Sequence, residues 1–360
     1  MGNRSFRTLH QIVESARSRL DQTSWNYLVG GSDTETTLRR NRLALDSLAL
    51  EARVLRDVAV IDTRVSLLGH SLDMPCLLAP LGAMETFDPG GAATAAVAAA
   101  RARIPVFKSS VCEPDLETVA AASDAIKFFQ LYVRGDAAWV DDIVRRVVRS
   151  GYHGFCLTVD TAVVSRRERD IARNVVPTSP VTHGELEYQA RVTWDDVRRM
   201  RDVCTIPLIV KGITTVADAS TAAGIGVDAI YVSNHGGRQL DHGRATMDVL
   251  PEIVDAVGGN VEVIVDGGFC RGTDVVKAMA LGARAVGLGR LQAWALAAGG
   301  EAALVDCLEI LHDEIRTVMA LCGVALFAQL DATFVSPARP VSEASVSSAF
   351  PLLGPEPPAD

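Results

Sequence analysis

The chain has 360 residues, 48% of them hydrophobic and 22% charged, with a formal net charge of −9. This composition excludes disorder as the main state, and the acidic balance excludes a broad surface for nucleic acid or anionic lipid while leaving room for a local basic pocket. The length exceeds one minimal domain and suits a single (β/α)8 barrel with extensions. Met1 to Leu20 mixes Arg, His and Glu with isolated apolar residues and lacks the apolar core of a signal peptide. The scattered cysteines form no C-x-x-C pair, which argues against a disulfide framework and against a zinc site. Arg284 and Arg290 interrupt the longest apolar tract, so no membrane span is expected, and the chain reads as soluble and cytoplasmic.

In chain order, residues 1–75 carry a helical stretch, a Gly30-Gly31 turn and a hairpin pattern with Arg64–Leu68 and Ser71–Leu72 around Gly69-His70. This extension is expected to pack as a lid or plug on the barrel ends. Apolar β-type runs then alternate with helical patterns: Cys76–Ala79, Pro105–Phe107, Lys127–Leu131, Gly154–Val159, Pro207–Val210, Ala229–Val232, Val261–Val265 and Ala285–Leu288. Near-continuous apolarity suits parallel strands buried on both faces, and eight of them close a barrel. Asp88-Pro89, Glu113-Pro114 and Thr193 read as helix starts. A doubly wound open sheet is disfavoured because no G-x-G-x-x-G follows the first strand. The long gap from Asp160 to Pro207, with Pro177, Pro180 and Gly184, is expected to contain a mobile loop over the site. One domain is expected over residues 1–335, with the barrel at about 76–325 and a proline-rich flexible tail at 336–360.

Catalytic groups of such barrels sit at the C-terminal ends of strands, and here those ends are polar. They carry Gln130 and Tyr132, Thr158 and Asp160, Lys211, Ser233-Asn234-His235, Asp266-Gly267-Gly268, and Gly289-Arg290. Buried polar groups at this density imply a ligand. The glycine-rich ends of the last two strands, each followed by a helix start, form a pattern that binds phosphate through backbone N–H groups, with Arg290 as a further donor. In Ser233–Asp241, His235 precedes two glycines that allow close approach and Arg238, which could hold a carboxylate. A base beside a carboxylate clamp points to proton abstraction next to an acid group.

These runs, Ser233–Asp241 and Asp266–Asp274, resemble the FMN-dependent 2-hydroxy acid oxidase and dehydrogenase family, which includes glycolate, lactate and hydroxymandelate oxidases. The resemblance spans about residues 7–335, and Gly30-Gly31-Ser32-Asp33-Thr34-Glu35 with Asn41 is most similar to the hydroxymandelate oxidases. It implies that His235 is the base, that Asp160 orients it and stabilises its charged form, and that Tyr132 and Tyr27 hydrogen-bond the substrate. Arg167 and Arg238 would clamp the substrate carboxylate. Whether the hydroxyl or the α-carbon loses its proton first stays open. For the FMN, the resemblance implies contacts from Pro80, Leu81 and Gly82 along the ring edge. Ser109, Gln130, Thr158, Lys211 and Ser233 would meet the ring, and Asp266, Gly267, Gly268, Arg271, Gly289 and Arg290 the ribityl chain and phosphate. A buried Lys211 cation would stabilise the reduced ring.

Cys270 replaces an arginine that the family places against FMN, which predicts weaker cofactor retention. Gly82 and Val111 replace bulkier residues and predict room for large or aryl L-2-hydroxy acids such as mandelates. The expected reaction gives the 2-oxo acid, with O2 as acceptor and H2O2 as product. Alternatives are oxidative decarboxylation, an acceptor other than O2, an isomerase or aldolase using Lys211, or a non-catalytic ligand-binding barrel. A tetramer is implied by resemblance alone.

Overall fold

The computed structural model describes residues 4–173 and 183–353. Eight parallel strands close into a barrel. They are β1 (Cys76–Leu78), β2 (Val106–Ser109), β3 (Lys127–Leu131), β4 (Gly154–Thr158), β5 (Leu208–Ile213), β6 (Ala229–Val232), β7 (Glu262–Val265) and β8 (Ala285–Leu288). The strands follow chain order around the ring, and β8 closes on β1 with Val286 opposite Cys76 and Leu288 opposite Leu78. Each apolar run read from the sequence is thus one strand of the expected (β/α)8 barrel.

Alternation within the strands fills two layers. Leu77, Phe107, Phe128, Cys156, Ile209, Tyr231 and Ile264 point into the lumen, where the Phe107 ring lies 5.1 Å from Phe128 and 5.8 Å from Tyr231. A Cβ on Gly287 would lie 1.8 Å from the Tyr231 hydroxyl, so the lumen holds this tyrosine only because residue 287 has no side chain. Outward-facing residues meet a helical shell. In Ala137–Arg149 the buried Val140, Ile143, Val144 and Val147 recur at helical spacing, and Asp136 caps the helix by accepting from Trp139 N.

The N-terminal extension serves both barrel ends. In the hairpin, Val65–Leu67 pairs with His70–Leu72, and Leu67 and Leu72 are fully buried in the luminal cluster. Leu68 N donates to Glu262 Oε2 at the start of β7, so the hairpin plugs the end opposite the expected site. The helices Gln22–Val29 and Thr36–Asp46 lie over the C-terminal end. Asn41 and Asn234 exchange two amide hydrogen bonds of 2.8 Å there, and Asp241 accepts from the backbone N–H groups of Thr34 and Thr37.

Two expectations change. Asp88 does not stand at the cap of its helix, which begins at Gly91; its Oδ1 accepts instead from Gly90 N and the Thr94 hydroxyl. Residues 336–353 are anchored at two points: Val335–Pro337 pairs antiparallel with Leu48–Leu50, and Phe350 is buried, while Val341 between them is fully exposed. The proline content signals only that this stretch forms no long helix, and apolar residues between the prolines anchor it. Pro177 and Pro180 of the expected loop, and the end of the tail, lie outside the described residues.

Candidate active site

The polar strand ends converge at the C-terminal mouth. Asp160 follows β4 and His235 follows β6, which brings Asp160 Oδ1 to 3.1 Å from His235 Nδ1. The other ring nitrogen, Nε2, lies 3.3 Å from the Tyr132 hydroxyl just beyond β3. His235 has φ +58°, the left-handed region that non-glycine residues rarely adopt, and its N–H donates to Ser233 Oγ. Ser233 also accepts from Lys211 Nζ at 3.0 Å. The turn therefore aims the imidazole back over the barrel.

Burial lowers the His235 pKa, against the opposing pull of Asp160, which favours the charged ring. Burial raises Asp160, but His235 and Lys211 outweigh it and hold the carboxyl below the usual carboxylate range. Burial, then Asp160, pushes the Tyr132 phenol well up, so it stays a neutral hydroxyl. A neutral imidazole backed by a carboxylate is the arrangement of a general base.

Cations gather beside it. Arg238 donates to the carbonyls of Tyr27 and Gly30 and lies 4.8 Å from the Tyr27 ring centre. Burial, then the neighbouring Arg167, lowers Arg238 to about 9. Arg167 Nε is buried without a hydrogen-bond partner among the described residues. Two guanidinium groups that repel one another in a buried place favour an anion between them. Arg290 donates to the carbonyls of Leu28, Gly30 and Gly236, and burial lowers it to about 10.

A cavity of about 370 Å3 opens over these groups. Of the residues singled out in the sequence, Tyr27, Pro80, Leu81, Gly82, Tyr132, Arg167, Lys211, His235, Arg238, Asp266, Gly267, Gly268, Gly289 and Arg290 line it. Ser109, Gln130, Thr158 and Ser233 lie buried at the strand ends, and Asp160 stands behind His235. Gln130 Nε2 and Thr158 Oγ1 are buried with no partner among the described residues, although Gln130 Oε1 accepts from the Ser109 hydroxyl at 2.6 Å. Polar atoms left unsatisfied beneath an apolar cavity fit the polar edge of a flavin ring. The glycines before the helix Gly272–Ala280 and before the helix that starts at Arg290 fit its phosphate.

Arg271 departs from its expected place. It pairs with Glu314 and donates to the Ala349 carbonyl, because it stands at the cap of the helix Gly272–Ala280 with its side chain turned away from the cavity. Sequence reasoning also missed Arg42. This buried guanidinium lines the cavity and makes two 2.8 Å bonds to Asp274, whose Oδ2 accepts from Cys270 N. Gln189 was missed too; it bonds Val133 N and the Thr158 carbonyl across the mouth. Neither residue belongs to a motif, since each arrives on a helix remote in sequence from the strand it touches. Among the described residues, no helix is long and apolar enough to cross a membrane.

A family model described as FMN-dependent dehydrogenase matches residues 16–337. An L-lactate oxidase of Nostoc sp. is 36% identical over 354 residues, 91% of this chain and 97% of that relative. A peroxisomal (S)-2-hydroxy-acid oxidase of Oryza sativa subsp. japonica is 41% identical, over 88% of this chain and 92% of that relative. Among solved structures, mandelate oxidase with (S)-2-phenylpropionate matches with a TM-score of 0.87 at 36% identity, covering 94% of this chain and 100% of that one. A mandelate oxidase variant with an FMN adduct matches with a TM-score of 0.85 at 36% identity, covering 92% of this chain and 99% of that one.

Proposed function

The chain belongs to the FMN-dependent dehydrogenase family of 2-hydroxy acid oxidases, and from that premise we propose that it oxidises bulky or aryl L-2-hydroxy acids, such as mandelates, to 2-oxo acids. O2 is the proposed acceptor and H2O2 the second product. The observation that carries this reading is His235, held between Asp160 and Tyr132 and facing an apolar cavity flanked by Arg167 and Arg238.

In this reading FMN, when bound, takes up the two electrons released from the substrate. Arg238 and Arg167 hold the substrate carboxylate, with Tyr27 beside it. Tyr132 hydrogen-bonds the hydroxyl. His235 Nε2 takes a proton from the CH–OH group, and Asp160 stabilises the imidazolium that results. Lys211, Gln130, Thr158, Ser109 and Ser233 would hold the flavin ring, together with Pro80, Leu81 and Gly82. Asp266, Gly267, Gly268, Gly289 and Arg290 would hold the ribityl chain and phosphate. Val111 and Gly82 leave the space that an aryl group needs. The cytoplasmic location and the tetramer expected from the sequence belong to the same proposal, tested by fractionation and sedimentation.

The experiment is an anaerobic screen of both enantiomers of glycolate-, lactate- and mandelate-sized acids, reading bleaching of the flavin absorbance, followed by admission of O2 and a peroxide assay. Faster reduction by (S)-mandelate than by glycolate, with one peroxide per turnover, is expected. A preference for glycolate would overturn the substrate reading. Reduced flavin that persists in O2 would overturn the acceptor.

A further inference from the structure

The segment that ends the described chain lies on the glycine-rich end of the cavity. Ser345 and Val346 line that cavity together with Arg42, Gly268 and Cys270. Three anchors hold the segment in place. Phe350, 1% exposed, packs edge-on against Trp294 and His10, each ring centre 5.6 Å away, and Trp294 itself lines the cavity. Arg271 donates to the Ala349 carbonyl at 3.3 Å while its other nitrogens pair with Glu314. The Ser348 hydroxyl reaches Asp46 Oδ2 at 3.5 Å. Asp46 in turn accepts two bonds from Arg42, whose guanidinium donates to the Gly268 carbonyl and to Asp274.

We propose that residues 345–350 are a retaining strap for the cofactor: they wall the phosphate end of the FMN site and must lift for FMN to enter or leave. The inference rests on the placement of the phosphate at Gly267-Gly268 and Gly289-Arg290. A bound group walled by an anchored segment leaves only as fast as that segment opens, and the anchors set the opening equilibrium. Arg271 thereby acts on the cofactor at one remove, by holding the strap. Phe350 is a fully buried aromatic anchor, and Val346 is the half-buried position at which a charge would face the site.

The test measures FMN release from the holoenzyme by recovery of flavin fluorescence after dilution. Phe350→Ala is expected to speed release by roughly tenfold, the scale of a lost aromatic pair, and Phe350→Leu to restore much of the difference. Val346→Lys is expected to slow FMN release and Val346→Glu to speed it, each by roughly three- to tenfold, because a half-buried charge acts on the phosphate with partial screening. These charge variants leave the anchors in place, so they test the wall even if Phe350→Ala folds poorly. Unchanged release in all of them, with native circular dichroism, would overturn the strap. A lower Tm of the apoprotein without faster release would overturn it too. Riboflavin, which has no phosphate, separates the two claims: equal charge effects on riboflavin and FMN would remove the phosphate placement and leave the strap standing.

Discussion

His235 Nδ1 faces Asp160 Oδ1 at 3.1 Å, so the imidazole has a carboxylate behind it and presents Nε2 to the cavity. Burial lowers the ring's pKa from its ordinary 6.5, and Asp160 raises it, with burial the stronger. A base works only when unprotonated, so kcat/KM is expected to fall as pH drops through a value below 6.5 in the free enzyme. Asp160→Asn removes the group that favours the imidazolium. The acid limb then moves to still lower pH, and the rate of flavin reduction falls by roughly 10²- to 10⁴-fold. pH profiles of kcat/KM with stopped-flow reduction traces check both; an acid limb that moves up in Asp160→Asn would refute the assignment.

Arg167 and Arg238 are expected to act on substrate binding. Lysine at 238 keeps the charge but loses the fork that spans a carboxylate, so Arg238→Lys should raise KM by roughly tenfold or more and lower kcat less. Arg167→Met should raise KM as well, and adding a second anion should no longer compete with substrate. Steady-state kinetics in chloride and in sulfate read this directly. An unchanged KM in both variants would place the carboxylate elsewhere.

The barrel was legible because strands buried on both faces are written as short apolar runs, and the candidate site because polar residues stop those runs at Tyr132, Asp160, Lys211 and His235. What stayed hidden came from elements remote in sequence. Nothing local marks Arg42 as the partner of Asp274, or Gln189 as a bridge between Val133 and Thr158, because each pairing is set by how a helix docks on the barrel. Arg271 misled for the converse reason: it stands in a phosphate-type motif, yet Glu314 on a neighbouring helix draws its side chain away.

Cys270 is buried near Arg42, Asp274 and Arg290, and burial pushes its thiol up to about 12, so it brings no charge to the glycine-rich end. Cys270→Arg adds a cation there. Fluorescence titration of the apoprotein should show FMN binding roughly ten- to a hundredfold tighter. No gain would mean that Arg290 and the backbone N–H groups already saturate the phosphate.

Gly82 and Val111 shape one wall of the cavity together, since a Cβ on Gly82 would sit 3.0 Å from Val111 Cγ2. Val111→Trp fills space that an aryl group needs and leaves room for a two-carbon acid. The ratio of kcat/KM for mandelate over glycolate should fall by roughly tenfold or more. A ratio that does not move would show that the aryl group lies on the side of Val163 and Val164, which also line the cavity.

At the other end of the barrel, stability and catalysis should separate. Leu72 is fully buried in the luminal cluster, and its hairpin reaches β7 through Leu68 N and Glu262, at the end away from His235. Leu72→Ala leaves a cavity in a packed lumen whose closed ring of strands has little freedom to collapse, so unfolding should become easier by about 2–5 kcal/mol. Because the proposed catalytic groups stand at the opposite ends of strands β1 to β8, KM and the flavin reduction rate at 25 °C should stay within roughly twofold of the parent, while Tm falls by several degrees. Thermal melts and steady-state kinetics on one preparation decide it. A loss of activity before any loss of Tm would mean that the plug sets the register of the barrel, and through it the distance between Asp160 and His235.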